Sequence, residues 1–325
     1  MTVALTGANG HIGAALVRQL LEEGHSVRVL VYQDDAALRG LPVERINGNV
    51  EDATALLQLC RGAEVVQHLA SRISIGEVPE RELQRINVLG TKHVLAACRA
   101  AGVSRLIYFS SVHAFHAVPV QMVFDESAPP ATAFPYERTK AAAQKMVLEA
   151  GQAGGLETIC LNPTSVLGPW DFKPSLQGQM LLDLYRGKIP LLTPGGFDWV
   201  DNRDVAKAAV AAINNGRSGH AYLLSGRFAT LLELAALFGQ IANCPPPKRV
   251  APFWLLRGIA PLLHSWASVT GQRPMITREA LSHVERGHPM VSHAKAKSEL
   301  GYAPRPLEET LRDTWKWLES AYIRS

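Results

Sequence analysis

The chain has 325 residues, of which 47% are hydrophobic and 19% are charged. This composition supports a large core and excludes a disordered chain, and the length allows two or three domains. The formal net charge is +4, and the basic residues form no block along the sequence. Nothing therefore indicates a nucleic-acid-binding surface.

The first half of the chain predicts strands that alternate with helices. In chain order these are a strand at Thr2–Thr6, a helix at His11–Glu23, strands at Ser26–Val31, Glu44–Asn47 and Glu64–Leu69, a helix at Leu83–Ala101, a strand at Ser104–Phe109, a helix at Tyr136–Ala150 and a strand at Glu157–Leu161. Such alternation is typical of right-handed crossovers, so we expect an α/β fold with a doubly wound parallel sheet.

The second half has a different pattern. Prolines and glycines are frequent between Trp170 and Val200. A helix at Asn202–Asn214 and a strand at His220–Leu224 follow, the chain reads as helical from Pro245, and Glu308–Tyr322 is amphipathic. We expect one large domain over residues 1–165, to which residues 202–226 return. A smaller α/β lobe would be built mainly from residues 166–325.

The four cysteines form no Cys-x-x-Cys pair, and three of them lie in runs that read as buried. This predicts reduced thiols in a cytoplasmic protein and no zinc ribbon. The most apolar late segment, Pro252–Val269, is interrupted by Arg257, Pro261 and His264. We expect a buried or cleft-lining segment there, without membrane insertion.

Three glycines, Gly7, Gly10 and Gly13, follow the first predicted strand and open the first predicted helix. In that context a glycine-rich turn lets the backbone approach a pyrophosphate, and the helix N-terminus supplies N–H donors. The sequence therefore predicts dinucleotide binding, although the spacing is GxxGxxG instead of GxGxxG.

Tyr136 and Lys140 are four residues apart on a predicted helix, so they share one face. Ser111 follows the strand at Ser104–Phe109, where ligands of open α/β sheets bind. A tyrosine near an ammonium group can transfer a proton to or from a carbinol oxygen, and a serine hydroxyl can bind the same oxygen. These residues predict hydride-transfer chemistry with a nicotinamide cofactor.

The chain resembles the extended short-chain dehydrogenases/reductases, the NAD-dependent epimerase/dehydratase family. The resemblance rests on TGANGHIG at 6–13, HLAS at 68–71, YFSS at 108–111, YERTK at 136–140, NPTSVLGP at 162–169 and GYAPRPLEETLRDTWKWL at 301–318. It is greatest in the dihydroflavonol-reductase-like branch, which includes proteins called hopanoid-associated sugar epimerases. It implies a Rossmann-type fold, an NAD(P) cofactor, a small-molecule substrate and a homodimer formed through helices Asn87–Ala101 and Tyr136–Ala150.

The resemblance also assigns roles to single residues. Tyr136 would be the proton donor or acceptor, Lys140 would hold the nicotinamide ribose and lower the tyrosine pKa, Ser111 would be the catalytic serine, and Asn87 would orient a water or Lys140. The cofactor would contact Gly7, Asn9, Gly10, His11, Ile12, Gly13, Tyr32, Asn49, Val50, Leu69, Ala70, Ser71, Tyr136, Lys140, Pro163 and Ser165. The substrate would contact Ser111, His113, Trp170, Phe172 and Trp199. For the three aromatic residues, core packing is the alternative interpretation.

Two departures from the family pattern concern the cofactor. NAD-binding members have an acidic residue at the end of the second strand, where this chain has Val31. Many NADP-binding members have arginine next, where this chain has Tyr32. Without the carboxylate, the sequence favours NADP(H) slightly over NAD(H). Asn49 and Val50 stand where the family has Asp-Val or Asp-Leu over the adenine.

The remaining histidines give no metal prediction. His113 and His116 flank a loop without evident further ligands. His283, His288 and His293 recur every five residues, a spacing that does not suit a helical zinc pair, so we expect surface positions. We predict no metal cofactor.

Three functional hypotheses follow. The first is a reductase or dehydrogenase for a small, fairly apolar ketone, aldehyde or alcohol. The second is a nucleotide-sugar epimerase with tightly bound NAD, whose substrate diphosphate would need basic residues of the small lobe such as Arg186, Lys188, Arg203 or Arg273. The third is a non-catalytic nucleotide-sensing protein, which the presence of both Tyr136 and Lys140 disfavours.

Overall fold

The structure is a computed structural model that describes residues 1–74, 78–258 and 277–324. The strands are β1 (Thr2–Thr6), β2 (Ser26–Val31), β3 (Glu44–Asn47), β4 (Val65–His68), β5 (Arg105–Phe109), β6 (Glu157–Pro163), β7 (Ser165–Leu167), β8 (Leu191–Leu192), β9 (Gly196–Asp201), β10 (His220–Leu224), β11 (Arg227–Thr230) and β12 (Arg249–Val250). The helices are α1 (His11–Glu22), α2 (Ala53–Cys60), α3 (Glu80–Leu83), α4 (Gly90–Ala101), α5 (Pro135–Gln152), α6 (Leu176–Tyr185), α7 (Asn202–Asn214), α8 (Leu231–Ala242), α9 (Arg278–Glu285), α10 (Ala294–Leu300) and α11 (Leu307–Tyr322).

Seven strands form one sheet in the order β10-β6-β5-β4-β1-β2-β3, and neighbouring strands are parallel throughout. The apolar strands are buried because helices cover both faces. This confirms the predicted Rossmann-type fold. Its order reverses between β1 and β4, and the carboxyl ends of strands at such a point form a ligand crevice.

The predicted helix Leu83–Ala101 is longer and less regular than expected. It begins with α3, continues through a π-helical segment at Gln84–Leu89, and becomes α4 at Gly90. A Cβ at Gly90 would lie 2.7 Å from Cγ2 of Val50, so the glycine allows close packing there. Helix α2 was not predicted from the sequence. Its N-cap is the side chain of Asp52.

Segments from the second half of the chain build a smaller lobe. Strands β11, β9 and β7 form one sheet, and β12 pairs with β8. A separate core packs around Phe238 and Trp315, whose ring centroids are 5.4 Å apart. The predicted α7 and β10 are found with the expected bounds, and β10 joins the large sheet.

The division into domains at residue 165 stays a prediction. The prediction of a helical chain from Pro245 onward is wrong at β12, because Arg249–Val250 pairs with Leu191–Leu192. Residues 259–276 lie outside the described part of the chain. In the part that is described, no helix has both the length and the apolar character needed to span a membrane.

Candidate active site

The glycine-rich turn lies between the end of β1 and the start of α1. Gly7 has a φ of +73°, and a Cβ there would lie 2.6 Å from the amide nitrogen of Ala70. A Cβ at Gly13 would lie 2.3 Å from the Gly7 carbonyl oxygen. Packing therefore requires both glycines, as predicted for a tight turn against neighbouring backbone.

Gly10 differs because a Cβ there would meet only the Gly7 oxygen, at 3.3 Å. Gly10 begins α1 without a side-chain cap. The N–H groups of His11, Ile12 and Gly13 find no acceptor among the described residues. Unpaired N–H groups at the start of a helix fit the pyrophosphate of a dinucleotide.

The expected cofactor residues next to this turn line the same edge of the sheet. Leu69 and Ala70 follow β4, and their N–H groups bond to the carbonyl oxygen and the hydroxyl of Thr6. Oδ1 of Asn9 accepts a hydrogen bond from the Ala37 N–H at 2.9 Å. Oδ1 of Asn49 accepts one from the Glu51 N–H at 2.8 Å, while Val50 is buried against Gly90.

Asn87 organises the loop after β4. Its Oδ1 accepts hydrogen bonds from the Ser71 hydroxyl and the Arg72 N–H, and its Nδ2 donates to the Arg72 carbonyl and to Oγ1 of Thr139. Asn87 therefore joins this loop to helix α5. The expected role of Asn87, to orient a water or Lys140, stays a prediction.

A buried hydrogen-bond chain, which the sequence analysis missed, supports Asn87. The Ala70 N–H donates to the Thr6 hydroxyl, and that hydroxyl donates to Nδ1 of His68 at 2.6 Å. His68 Nε2 then donates to Oγ1 of Thr91, which donates to the Asn87 carbonyl. Burial, followed by the charge of Lys140, lowers the pKa of His68 to about 3. The imidazole is therefore neutral and holds one tautomer.

Ser111, Tyr136 and Lys140 meet at the end of β5. Ser111 and Tyr136 are buried, and the Ser111 hydroxyl lies close enough to Tyr136 to act on its pKa. Lys140 is buried as well, and its Nζ donates to the Phe109 carbonyl at 2.8 Å and lies 4.6 Å from the centroid of the Tyr108 ring. The structure thus brings together the three residues that were predicted to carry the chemistry.

The protonation of this group differs from the expectation. Burial raises the pKa of Tyr136 to about 12, although the Ser111 hydrogen bond opposes the increase. Burial also lowers the pKa of Lys140 to about 7. The expected lowering of the tyrosine pKa by Lys140 is not found, because desolvation dominates and the lysine ammonium is bonded to Phe109.

Four polar side chains converge beside Tyr136, and this cluster was missed. His283 Nε2 and Arg286 Nη2 each donate to Oε1 of Glu137 at 3.0 Å. The His113 ring stacks on the His283 ring with centroids 4.2 Å apart and lies 6.4 Å from the Tyr136 ring. Burial disfavours ionisation of Glu137, but the hydrogen bond from His283 and the charge of Arg286 outweigh it and lower the pKa of Glu137.

The cluster resembles a metal site in residue type, because ligand atoms of His113, Glu137 and His283 lie within 4.8 Å of one another. The Arg286 guanidinium bonds to the same Glu137 oxygen, and its charge opposes cation binding. Burial, followed by the charge of His283, lowers the pKa of His113 to about 3. We interpret the cluster as a hydrogen-bonding wall, and the absence of a metal cofactor stays a prediction.

The surface prediction for the late histidines is wrong for two of them. His283 and His288 are buried, and His288 Nε2 donates to the Pro119 carbonyl at 3.2 Å. Only tertiary packing brings these residues to segments more than a hundred residues earlier. Glu279, on the same face of α9 as His283, is buried with its Oε1 unpartnered among the described residues. Burial, and then the charge of Glu137, raises the pKa of Glu279 to about 7.

A cleft with a cavity volume of about 70 Å³ lies against this wall and opens to solvent. It is lined by Val112, His113, Phe115, Ala117, Phe124, Glu137, Thr164, Ser165, Phe197, Asp198, His283, Arg286, Gly287, His288 and Val291. Val112 and Glu137 are sequence neighbours of Ser111 and Tyr136, so the cleft adjoins the catalytic group. One of the lining residues, Ser165, was predicted to contact the cofactor and lies two residues after the buried Pro163.

The three aromatic residues predicted to contact substrate lie elsewhere. Trp199 is buried in the core of the small lobe, and its Nε1 donates to the Ala229 carbonyl at 3.1 Å. Trp170 and Phe172 pack on the Arg18 guanidinium, at 5.3 and 5.5 Å from their ring centroids. None of the three is among the described residues that line the cleft, because packing in the small lobe and on α1 uses their surfaces. Phe197 lines it instead.

The region after β2 bears on cofactor choice. Tyr32 is 60% exposed, and the Gln33 side chain donates to its hydroxyl at 3.0 Å. Asp34 lies in the following loop and pairs with Lys173 at 2.9 Å. This ion pair and the Ala36 N–H hold the pKa of Asp34 at about 2.

Comparison with known proteins places this site in a family. A sequence model of the NAD dependent epimerase/dehydratase family matches residues 3–225. The chain is 37% identical over 266 residues to sterol demethylase protein B of Methylococcus capsulatus, with 80% of each chain covered. It is 30% identical over 336 residues to a putative dihydroflavonol 4-reductase of Synechocystis, covering 99% of this chain and 96% of that protein.

A solved structure shares the fold. The crystal structure of UDP-glucose 4-epimerase from Thermotoga maritima superposes with a TM-score of 0.81 at 21% identity, covering 98% of this chain and 99% of that chain. This likeness concerns the fold alone. Together with the family match, the glycine turn and the Ser–Tyr–Lys group, it confirms the resemblance found in the sequence. The chain belongs to the NAD-dependent epimerase/dehydratase family of extended short-chain dehydrogenases/reductases and is an enzyme that acts through NAD(P)-linked oxidoreduction.

Proposed function

We propose that the enzyme is an NADP(H)-dependent reductase of a ketone or aldehyde with a largely apolar body, and that Tyr136 donates the proton. The character of the cleft supports this most directly. Val112, Phe115, Phe124, Phe197 and Val291 supply apolar walls. Together with the polar side chains that also line the cleft, such walls suit a carbonyl compound with an apolar body.

The residues next to the cleft suit reduction. A bound, reduced nicotinamide would supply the hydride that reaches the carbonyl carbon. The Ser111 hydroxyl would bind the carbonyl oxygen, and Tyr136 would give its proton to that oxygen as the alcohol forms. The pKa of about 12 keeps Tyr136 protonated at neutral pH, which is the state that a proton donor requires. In the reverse direction Tyr136 would have to be deprotonated first.

Lys140 would hold the ribose of the cofactor. It lies one helical turn after Tyr136 and is buried beneath the catalytic group. With a pKa of about 7, its ammonium form is partly populated at neutral pH and would gain from a hydroxyl acceptor. The turn at Gly7, Gly10 and Gly13 would bind the pyrophosphate, since the N–H groups that open α1 find no acceptor among the described residues.

Epimerisation of a nucleotide sugar has less support. Arg203, a candidate for the substrate diphosphate, pairs with Asp201 and Asp313. The Arg186 side chain donates to the Tyr322 carbonyl, and Arg273 lies outside the described residues. Among the described cleft residues the arginine is Arg286, which is bonded to Glu137. Lys188 is exposed and has no ion pair among the described residues, but it does not line the cleft. A dianionic diphosphate therefore finds little free positive charge in the cleft.

The preference for NADP(H) rests on the second strand. Val31 leaves its end without a carboxylate that would bind a ribose 2′-hydroxyl. Asp34 is paired with Lys173 and so is partly neutralised. The homodimer and the cytoplasmic location stay predictions, and light scattering of the purified protein tests the first.

The first experiment is to denature freshly purified protein and to identify any released nucleotide by chromatography. A reductase exchanges its cofactor in each turnover, whereas an epimerase can retain it. We expect no stoichiometric nucleotide, tighter binding of NADPH than of NADH, and NADPH oxidation with apolar ketones or aldehydes. Tyr136→Phe should abolish turnover and retain NADPH binding. Stoichiometric NAD, with epimerisation of a nucleotide sugar, would overturn the proposal.

A further inference from the structure

We propose that residues 248–257 form a docking surface for an anionic lipid membrane, on which the enzyme rests without crossing the bilayer. This lipid-docking surface consists of Val250, Trp254 and Leu255 with Lys248, Arg249 and Arg257 around them. Val250 is 46% exposed, Trp254 73% and Leu255 41%. The proposal goes beyond the reductase activity and does not depend on it.

The exposed side chains are held outward by their neighbours. Leu256 is 2% exposed and packs with Ala251 and Leu281, and Phe253 packs against the same group. Residues 253–258 are helical, so Phe253 and Leu256 point inward while Trp254 and Leu255 point outward. A buried or cleft-lining segment was expected at Pro252–Val269. Residues 259–269 of it lie outside the described residues, and within 253–256 the expectation holds only for the inward pair.

The charge around these side chains matches an anionic surface. Lys248, Arg249 and Arg257 belong to this surface, and the sequence between Glu233 and Glu279 contains no acidic residue. Lys248 and Arg249 are exposed and have no ion-pair partner in the described part of the chain. Arg257 pairs with Glu285.

An exposed tryptophan beside aliphatic and basic residues is typical of proteins that insert side chains into the interface of anionic membranes. A second copy of this chain fits less well. A twofold contact through this surface would bring the unpaired Lys248 and Arg249 of both copies close together. A lipid surface with negative headgroups instead neutralises them.

The surface lies outside the wall of the cleft. A Cβ at Gly195 would meet the Phe253 ring at 3.1 Å and the Val284 carbonyl at 2.6 Å, so Phe253 adjoins α9, which carries His283. An apolar substrate dissolved in the bilayer would therefore be concentrated near the cleft. This last consequence, unlike the docking itself, rests on the proposed function.

The experiment is flotation of the full chain with two kinds of vesicles, pure phosphatidylcholine and phosphatidylcholine mixed with phosphatidylglycerol. We expect binding to the mixed vesicles that weakens as salt increases. The double variant Trp254→Ser, Leu255→Ser should bind at least about tenfold more weakly, because two interfacial apolar side chains are lost. The double variant Lys248→Glu, Arg249→Glu should lose the preference for phosphatidylglycerol.

Leu232→Ser is the matched control, because Leu232 is also exposed, at 37%, but lies on α8. It should bind vesicles as the unmodified protein does. Thermal melting and NADPH binding show that each variant is folded. The proposal is wrong if the unmodified protein floats with neither vesicle, or if the Trp254 and Leu255 variant floats equally well. A variant that turns a dimer into a monomer at unchanged vesicle binding would identify a protein interface instead.

Discussion

The side-chain amide of Asn162 holds the backbone of Ser111. Its Nδ2 donates to the Ser111 carbonyl at 2.8 Å and to Oε1 of Gln144 at 2.6 Å. Asn162 lies near the end of β6, Ser111 follows β5, and Gln144 lies on α5, the helix of Tyr136. The buried Asn162 amide thus fixes the position of Ser111 relative to the helix that carries Tyr136.

Asn162→Asp should lower kcat about 10- to 100-fold with little change in cofactor affinity. The carboxylate cannot donate to the two acceptor oxygens, so Ser111 loses its fixed position. Steady-state kinetics and NADPH titration separate the two effects. Gln177→Glu is the control, because Gln177 bonds to Ser165 on the surface of the cleft and not to the Ser111 backbone. An unchanged kcat in Asn162→Asp would refute a positioning role.

Alanine at two glycines of the turn should affect two different properties, the stability of the protein and its affinity for the cofactor. Gly13→Ala should destabilise the protein by several kcal/mol, about the size of other severe core changes, because its Cβ would lie 2.3 Å from the Gly7 oxygen. Gly10→Ala should change the free energy of unfolding by about 1 kcal/mol or less, since the new Cβ would lie 3.3 Å from the Gly7 oxygen. The same variant should weaken NAD(P) binding more than tenfold. Denaturant unfolding and cofactor titration measure both quantities. Equal cofactor affinity in Gly10→Ala and the unmodified protein would show that the pyrophosphate binds elsewhere.

Glu279 should make stability depend on pH. Its pKa rises from 4.5 in the unfolded chain to about 7 in the folded protein, so folding favours the protonated form. The stabilisation is complete below about pH 4.5 and is lost as the pH rises through about 7. Glu279→Gln keeps the neutral shape and should remove this loss, which amounts to at most about 3 kcal/mol.

Denaturant unfolding of both proteins between pH 5 and pH 8 tests this prediction. The difference in stability should favour Glu279→Gln increasingly as the pH rises. Glu285→Gln is the control, because Glu285 lies on the same helix and pairs with the exposed Arg257. Parallel curves for Glu279→Gln and the unmodified protein would contradict a raised pKa.

Tyr32→Arg should shift cofactor choice further toward NADPH. Tyr32 is exposed directly after β2, where a guanidinium could bind a 2′-phosphate. We expect the ratio of kcat/KM for NADPH to that for NADH to rise about tenfold. This change corresponds to a free energy of about 1.4 kcal/mol. An unchanged ratio would place the 2′-position of the cofactor away from this residue.

The main features of the fold were predictable from the sequence. Strand and helix periodicity predicted the parallel sheet, and the elements that were predicted with bounds lie within a few residues of them. Helices α2, α6 and α8 and strands β7, β8, β9 and β11 were not predicted. The π-helical turns at Gln84–Leu89 and the β12 strand were not predicted. Gly90, which follows the π-helical turns, packs against Val50, and β12 pairs with Leu191 and Leu192. Both contacts join segments that are far apart in the chain.

The candidate site, like the fold, was only partly predictable from the sequence. The glycine turn and the Tyr136–Lys140 spacing are local features, because strand and helix geometry alone places those residues. Tertiary packing decided that α9 brings His283 and Arg286 to Glu137, that Trp199 is a core residue and that Trp254 is exposed. A single sequence indicates which side chains can do chemistry. Which of them meet depends on contacts across more than a hundred residues, and these form only when the two lobes pack.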